Sequence, residues 1–166
     1  MRVYFVRHAI AEDRESFEGD DLLRPLSAAG SQKAKKVFGL YAGLYPGLQK
    51  IYTSEATRAI QSAELLAKAF GGAPIEKTAL LNPGCDYEQF KILLGQIGHR
   101  HEAIAIVGHE PDFSLIIGGI VAGGLLYMEI KKASLIEVEM GPEGRGELKC
   151  ILTPKLALKL KSRLDV

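Results

Sequence analysis

The chain has few cysteines, no tryptophan and almost no net charge. Its 166 residues include two cysteines, Cys85 and Cys150, which form no CxxC pair. Such cysteine use gives no disulfide framework, so we expect a reducing, cytoplasmic location. With 21 basic and 20 acidic residues, the formal net charge is +1 at pH 7. Because proteins that bind the nucleic-acid backbone normally carry a strong basic excess, this balance argues against a nucleic-acid partner.

Long apolar runs are also missing. The best candidate, Phe113 to Met128, is shorter than the about 20 apolar residues that a membrane-spanning helix needs. Its Gly119-xxx-Gly123 spacing occurs at helix contacts in membranes, but it also suits a buried helix that ends in a glycine-rich turn. The first apolar run reaches Arg7 within a few residues, so we expect no signal peptide. We therefore predict no membrane partner.

Short apolar runs alternate with stretches of helical periodicity, and no repeat or linker interrupts them. Strands are predicted at residues 2–6, 50–53, 75–77, 102–107, 134–140 and 147–152. Helices are predicted at residues 27–45, 55–70 and 87–97 and again after Pro111, with Ser27 as an N-cap and Pro46-Gly47 as a stop. This order predicts one α/β domain over residues 1–166. We expect a three-layer α/β/α sandwich with a mainly parallel sheet and an antiparallel edge hairpin.

Three predicted strands end in residues that suit one chemistry. Arg7 and His8 follow the first strand, Arg58 lies near the start of the helix after the second, and Gly108-His109 follows the fourth. Parallel sheets bind ligands beyond the carboxyl ends of their strands, so these side chains should meet there. Helical side chains lean toward the N-terminus, which lets Arg58 reach this edge. Two guanidinium groups and two imidazoles beside a helix N-terminus predict an anion site that fits a phosphoryl group.

Each of these residues has an ordinary structural explanation when taken alone. Arg7 could pair with an acid of the next loop, Arg58 could pair with Glu55 on its own helix, and either histidine could be held by hydrogen bonds. The shared position at strand ends favours the functional interpretation, because accidental polar residues would scatter over both edges of the sheet.

A metal site is the competing interpretation, since the chain contains His8, His99, His101 and His109. Two arginines beside His8 would repel a divalent cation, and no carboxylate stands at a ligand spacing such as HExxH. We therefore predict that the protein uses no metal and no other cofactor.

Several segments, in this order, resemble the motifs of the histidine phosphatase superfamily, which includes the phosphoglycerate mutases. Its arginine-histidine-glycine motif is similar to Arg7-His8-Ala9, and its glycine-histidine motif is similar to Gly108-His109. Its serine-proline-x-x-arginine-alanine-x-glutamine-threonine-alanine motif is similar to residues 54–63, SEATRAIQSA. Within the superfamily, the chain resembles the short SixA-like phosphohistidine phosphatases through the segments RPLSAAGSQKA, LNPGCD and TPKLAL, which begin at Arg24, Leu81 and Thr153.

The resemblance implies a role for each residue at the strand ends. His8 would be the nucleophile, Arg7 and Arg58 would hold the phosphoryl oxygens, and His109 would complete the phosphate-binding pocket as a further donor. Arg24 would either contact the substrate or tie down the loop that contains it. The resemblance also implies that no lid domain covers the site, because the chain has no spare segment to build one.

The substrate class is inferred from a missing carboxylate. Superfamily members that act on phosphate esters usually carry an acid after the third strand, which protonates the alkoxide leaving group. Here the chain reads Leu80, Leu81 and Asn82, and the next carboxylate is Asp86, which is the candidate acid. A protonated phosphoimidazole needs no such donor, because it leaves as neutral histidine.

We therefore predict a metal-independent phosphohistidine phosphatase, a hydrolase whose partner is a protein that carries phosphohistidine. Two alternatives stay open: a phosphomonoesterase of the same superfamily that acts on a small phosphorylated substrate, and a non-catalytic phosphohistidine-binding module. The acidic loop of residues 12–21 could take part in recognition or could simply be a solvated connection.

Overall fold

A six-stranded sheet forms the middle layer of the fold. The computed structural model describes residues 1–45, 47–98, 100–124, 126–141 and 144–164. The strands in these ranges are β1 (Arg2–Arg7), β2 (Lys50–Thr53), β3 (Ile75–Lys77), β4 (Ala103–Gly108), β5 (Leu135–Met140) and β6 (Gly146–Leu152). Their order is β3-β2-β4-β1-β5-β6. The first four strands are parallel, whereas β5 pairs antiparallel with both β1 and β6, which confirms the predicted sheet and edge hairpin.

Helices cover both faces of this sheet. They are α1 (Ala28–Leu44), α2 (Thr57–Ala69), α3 (Tyr87–Ile97), α4 (Asp112–Ala122) and α5 (Pro154–Leu164). One face packs against α1, α2 and α5, and the opposite face packs against α3 and α4. This arrangement is the predicted three-layer α/β/α sandwich.

Successive side chains of β1 point to opposite faces of the sheet, so this strand packs against both helical layers. Tyr4 and Val6 pack on the side of α1, and Val3 and Phe5 pack on the side of α4. The ring of Phe5 lies 5.3 Å from that of Phe113 in an edge-on arrangement. Fully burying a large apolar side chain stabilises a fold by about 1.5–3 kcal/mol, so β1 is firmly held up to its last residue.

Two helix starts differ in how closely they match the prediction. α1 begins after Ser27, whose side chain accepts a hydrogen bond from a backbone N–H of the first turn, as predicted. α2 begins at Thr57 instead of residue 55, because Ala56 occupies the N-cap position without a side-chain bond. Ser54 accepts the N–H of Ala56 and turns the chain ahead of the helix. Arg58 is consequently the second residue of α2, closer to its N-terminus than expected.

α5 was not predicted from periodicity. Thr153 accepts the backbone N–H of Leu156, and Pro154 occupies the first helical position, where its missing N–H costs nothing. These two residues open the segment TPKLAL, so the sequence did carry the signal for a helix start.

Some predicted turns cannot be compared. Pro46, which was expected to end α1, lies outside the described residues, as do Pro142 and Glu143 in the turn of the edge hairpin. The first part of the apolar segment that begins at Phe113 lies in α4, an 11-residue helix that runs from Asp112 to Ala122. Across the described ranges, no helix is long and apolar enough to cross a membrane.

Candidate active site

The four predicted site residues line one cavity at the carboxyl ends of β1, β2 and β4. Arg7 is the last residue of β1 and pairs in register with Gly108 at the end of β4. The next residue, His8, donates its backbone N–H to the Gly108 carbonyl over 3.0 Å. A side chain on Gly108 would come within 2.7 Å of the Phe113 ring, so glycine allows β4 and α4 to approach at this point. The cavity has a volume of about 600 Å³ and also borders Arg58 and His109.

His8 is held as a neutral imidazole with one nitrogen free. The residue is 6% exposed. Its Nδ1 lies 2.7 Å from the carbonyl oxygen of Ala9. A carbonyl only accepts hydrogen bonds, so Nδ1 carries the proton and Nε2 keeps its lone pair. Burial, followed by the charges of Arg58 and Arg7, lowers the pKa of His8 to about 3 against the opposing effect of the Ala9 hydrogen bond.

The loop after β1 is fixed to α2 by a short chain of hydrogen bonds. The N–H of Ala9 donates to Ser62 Oγ over 2.9 Å, and Ser62 Oγ donates to the Arg58 carbonyl over 2.7 Å. Ala9 is 1% exposed, so its methyl group is accommodated in the core although the superfamily motif has glycine there. The result is that His8 and Arg58 are tied to each other through the backbone.

His109 is held in one tautomer by a hydrogen-bond relay. Its Nε2 lies 2.9 Å from Ser54 Oγ, which in turn lies 3.0 Å from Asn82 Oδ1. Asn82 Oδ1 also accepts the backbone N–H of Glu55 over 2.8 Å, which identifies this atom as the amide oxygen. The Ser54 proton must therefore go to Asn82, and Ser54 Oγ accepts the Nε2–H of His109. Nδ1 is the nitrogen of His109 that stays free.

His109 is also neutral at physiological pH. The residue is 3% exposed. Burial lowers its pKa to about 3, and the charge of Arg58 acts in the same direction. The two imidazole rings lie side by side, with centroids 5.1 Å apart. His109 is therefore neutral in the ligand-free site, and it becomes a charged donor only if a bound anion raises its pKa.

Arg58 is paired with an acid that the sequence analysis did not single out. Its Nη2 lies 3.0 Å from Asp21 Oδ2, and its Nη1 donates to the Asp21 carbonyl over 2.6 Å. The Glu55 pairing considered above is not the one observed. Asp21 also accepts a 2.8 Å hydrogen bond from Arg24 Nε, and this bond, with the nearby Arg58 charge, lowers the pKa of the Asp21 carboxyl. The end of the acidic loop thus forms part of the site wall.

Arg24 ties this loop down and borders the cavity at the same time. Besides Asp21, it bonds the carbonyl of Glu12 over 2.7 Å. Arg24 is 9% exposed. Its side chain is among those that line the cavity. Both roles considered for Arg24 are therefore compatible with its position.

Among the described residues, the guanidinium of Arg7 makes one hydrogen bond, to a backbone carbonyl. Its Nη1 donates to the Ile130 carbonyl over 2.6 Å. Its Nε is buried and has no partner among the described residues, as is also true of Arg58 Nε. A guanidinium carries five N–H donors, so both arginines can bind an oxyanion. Burial lowers the pKa of Arg7, while the Glu110 charge raises it.

The candidate acid Asp86 lies elsewhere. It is the N-cap of α3, where its carboxylate accepts the Gln89 N–H over 2.9 Å in a capping box. The carboxylates that border the cavity are Glu12, Asp13, Asp21 and Glu110. The geometry therefore gives no support to Asp86 as the acid.

Glu110 is a half-buried acid of this cavity, and its Oε1 atom is fully covered. Ser114 donates to its Oε2 over 2.6 Å, and its Oε1 has no hydrogen-bond partner in the described part of the chain. Burial raises the pKa of this carboxyl, against the effects of Ser114 and Arg7. In the sequence, its position directly after His109 already makes it an acidic neighbour of that imidazole.

The histidines do not gather into a metal site in the part of the structure that is described. No cluster of three or more histidine, cysteine, aspartate or glutamate side chains suitable for a metal ion is found there. His8 and His109 face the arginines instead. His99 lies outside the described residues.

Comparison with known proteins identifies relatives of the same kind. The model of the histidine phosphatase superfamily (branch 1) matches residues 3–83, which include Arg7, His8 and Arg58. A protein of uncharacterized function from Picosynechococcus sp. is 32% identical over 143 residues, which cover 85% of this chain and 86% of the relative.

Two solved structures share the fold over almost their whole length. The protein histidine phosphatase SixA in complex with tungstate has a TM-score of 0.83 at 18% identity, over 93% of this chain and 98% of that one. A candidate phosphohistidine phosphatase SixA from Agrobacterium tumefaciens has a TM-score of 0.79 at 24% identity, over 92% of this chain and 97% of that one.

Proposed function

The chain belongs to the histidine phosphatase superfamily, branch 1, and from this premise we propose that it is a metal-independent phosphatase that dephosphorylates phosphohistidine in a protein. The observation that carries the proposal is the state of His8. It is a buried imidazole with a free Nε2 lone pair, and it borders the same cavity as two guanidinium groups. A neutral nucleophile inside a cationic pocket suits attack on a negatively charged phosphoryl group.

In the first step, Nε2 of His8 attacks phosphorus in line, and the bond from phosphorus to the substrate imidazole breaks. That imidazole carries a proton on its other nitrogen, so it leaves as neutral histidine and needs no acid. Negative charge spreads over the three equatorial oxygens, which accept hydrogen bonds from the free donors of Arg7 and from Arg58, where they compete with Asp21. The product of this step is phosphorylated His8.

In the second step, a water molecule attacks phosphorus and the bond to His8 Nε2 breaks. Both water protons leave with the product as dihydrogen phosphate, and His8 returns to the neutral form with Nδ1–H. His109 contributes its free Nδ1: the phosphoryl charge draws a proton onto it, and the ring then donates to a phosphoryl oxygen. Ser54 keeps the ring oriented throughout.

Position 82 supports the choice of a phosphorus–nitrogen substrate. Asn82 lies in the segment that follows the third strand, and its amide serves the relay to His109 instead of carrying a proton for a leaving group. An alkoxide would depart from this part of the site without a donor, whereas a phosphoimidazole would not require one.

The test is phosphate release from a phosphohistidine-bearing protein in EDTA, measured for the intact protein, for His8→Ala and for His101→Ala. His101 is the matched control, since it does not border the cavity. We expect release that depends on His8, persists in EDTA and passes through a phosphorylated intermediate located on His8 by mass spectrometry. If His8→Ala releases phosphate as fast as the intact protein, His8 is not the nucleophile. Tight binding without release would identify a phosphohistidine-binding module instead.

Glu110 gives a specific reason to keep phosphomonoester hydrolysis as the second candidate. Its carboxyl borders the cavity with a raised pKa, so it is suited to hold a proton for an alkoxide. Running a phosphomonoester alongside separates the two candidates. If the ester turns over faster than the phosphohistidine protein, and Glu110→Gln removes only the ester activity, the second candidate replaces the first.

A further inference from the structure

A second cavity adjoins the site, and cationic side chains surround it. It has a volume of about 540 Å³. We call it the basic cleft and define it by Arg7, Lys33, Lys131, Lys132 and Lys155 around the side chain of Ile10. No acidic residue borders it among those that the structure describes. Five cations without a carboxylate in one concave surface are the footprint of an anionic ligand.

The basic cleft is continuous with the candidate active site. Arg7 and Lys132 border both cavities, so a ligand whose phosphoryl group lies at His8 would extend its neighbouring groups into the cleft. α5 begins at the cleft with Pro154, and the positive end of the helix dipole adds partial positive charge there. The cleft is thus a second anion-attracting surface beside the phosphoryl site.

The charges of the cleft are largely uncompensated. Lys131 pairs with Glu129, whereas Lys33 and Lys155 have no carboxylate within 4.0 Å in the described part of the chain. Burial lowers the pKa of Lys132, and the charges of Arg7, Arg24 and Arg58 lower it further. An incoming carboxylate would relieve this repulsion. Ile10 is 38% exposed in the middle of the cations and offers an apolar contact as well.

We propose that the basic cleft binds acidic side chains that flank the phosphohistidine of the protein substrate, and this inference rests on the proposed function. A polypeptide fits better than a nucleic acid, because the cleft offers only five cations in a chain whose net charge is +1. The acidic loop borders the active-site cavity but not the cleft. The negative charge of the loop and the positive charge of the cleft therefore lie at different places around the phosphoryl site. A partner with acidic residues on one side of its phosphohistidine would be oriented by this separation.

The experiment compares two phosphohistidine peptides that differ only in having glutamates or glutamines around the phosphorylated residue. Lys33→Glu/Lys155→Glu reverses two cleft charges without touching Arg7 or Lys132. We expect the intact protein to prefer the glutamate peptide in kcat/KM by about 10-fold, and the variant to lose this preference, since exposed charge pairs contribute modestly and additively. Lys35→Glu/Lys161→Glu is the matched control, because it makes the same charge change on exposed residues of the same two helices.

A binding measurement separates failure of the cleft from failure of the proposed function. The unphosphorylated glutamate and glutamine peptides are labelled, and their affinities for the intact protein and both variants are measured by fluorescence anisotropy. Suppose that no phosphohistidine peptide is hydrolysed, but that the affinity for the glutamate peptide falls in Lys33→Glu/Lys155→Glu and not in the control variant. The cleft proposal is then supported and the phosphatase proposal fails. If both peptides are hydrolysed and bound equally well, or if the control variant loses the preference equally, the cleft proposal is overturned while the phosphatase proposal stands.

Discussion

His8 and His109 are two buried imidazoles that stay neutral in a cationic setting. Burial is the main cause in both, and neighbouring positive charges add to it. The neutral form serves His8 directly, because only an unprotonated Nε2 can attack phosphorus. For His109 it means that the proton arrives with the phosphoryl group. The free site is therefore poised to take up a proton when an oxyanion binds.

The lowered pKa values predict a loss of stability in acid. An unfolded histidine has a pKa near 6.5, so as the pH falls from about 6.5 towards 3 the unfolded chain takes up protons before the folded one does. His8 therefore contributes no pH dependence above about pH 6.5 and destabilises the fold progressively below it. Between pH 7 and pH 5, the unfolding free energy of His8→Gln should fall by roughly 1–2 kcal/mol less than that of the intact protein.

Urea unfolding at several pH values checks this prediction. His101→Gln is the control, since it removes a histidine that does not border the cavity. If the intact protein and His8→Gln lose stability in parallel as the pH falls, His8 is not a buried neutral imidazole.

The relay through Ser54 predicts that Asn82 is a positioning residue. Without its amide oxygen, the Ser54 hydroxyl can donate to His109 Nε2 and move the imidazole proton to Nδ1. We expect Asn82→Ala to lower kcat about 10-fold, because a Ser54 hydroxyl that donates to Nε2 favours the neutral ring, and a neutral ring is a weaker donor to the phosphoryl oxygens than an imidazolium. Ring nitrogen chemical shifts of His109 in ¹⁵N NMR spectra report the tautomer directly.

Two companion variants separate orientation from simple destabilisation. Asn82→Asp keeps an acceptor for Ser54 and should retain the original tautomer. Glu55→Gln removes only the carboxylate that Asn82 Nδ2 contacts and should leave the spectrum unchanged. A lower kcat in Asn82→Ala with unaltered ring shifts would contradict the relay.

Helix α1 packs closely against the backbone of the loop that follows His8, and Gly30 is the point of contact. A side chain on Gly30 would collide with the backbone carbonyl of Ile10, whereas one on Gly39 would meet nothing within 4 Å. We expect Gly30→Ala to destabilise the protein by about 2–4 kcal/mol, since the clash is with backbone that cannot move aside. Gly39→Ala should instead stabilise it by about 0.5–1 kcal/mol, because alanine is the better helix former.

Thermal unfolding of the two variants tests this contrast within one helix. Phosphatase activity of Gly30→Ala should fall as well, because the displaced loop includes Ala9 and its bond to Ser62. Equal stabilities of the two variants would show that α1 does not fix this loop.

Elements with strong local signals could be predicted from the sequence. The bounds of β2, β3 and α3 are as predicted, and α3 ends where Gly98 follows its last apolar residue. The start of α2 was misplaced because Ser54 has the chemistry of an N-cap but uses its hydroxyl in the relay to His109. α5 was missed because its helix start was not recognised in Thr153 and Pro154.

The site was predictable where residues follow strands and not where they come from loops. Arg7, His8 and His109 are placed by the sheet register, which a parallel topology dictates. Asp21 reaches Arg58 only through the folded path of the acidic loop, and no local pattern encodes that contact. Asp86 was the nearest carboxylate in sequence but is used to cap α3. Proximity along the chain was a poor guide to proximity in space.

Charge is nearly balanced over the whole molecule but is unevenly distributed around the site. The acidic loop borders the active-site cavity, and its Asp21 pairs with Arg58. The basic cleft adjoins the same cavity at Arg7 and Lys132. An oxyanion must therefore compete with Asp21 for Arg58, and the remaining cations make that exchange favourable. The molecule attracts phosphoryl groups locally without a large net charge.

Oxyanion binding should therefore stabilise the whole fold. Tungstate cannot be turned over as a phosphoryl donor, so it reports binding alone. At a concentration about 100 times its Kd it should add about 2.7 kcal/mol to the unfolding free energy, which corresponds to a rise in Tm of roughly 5–10 °C. The rise should be the same in EDTA, because guanidinium and imidazole groups would hold the anion.

The variant Arg58→Gln should lose most of this rise in Tm. The control variant Arg145→Gln should keep it, because Arg145 is an exposed arginine near the edge hairpin. A shift that disappears in EDTA, or that survives in Arg58→Gln, would mean that the anion is not bound by the residues at the ends of β1, β2 and β4.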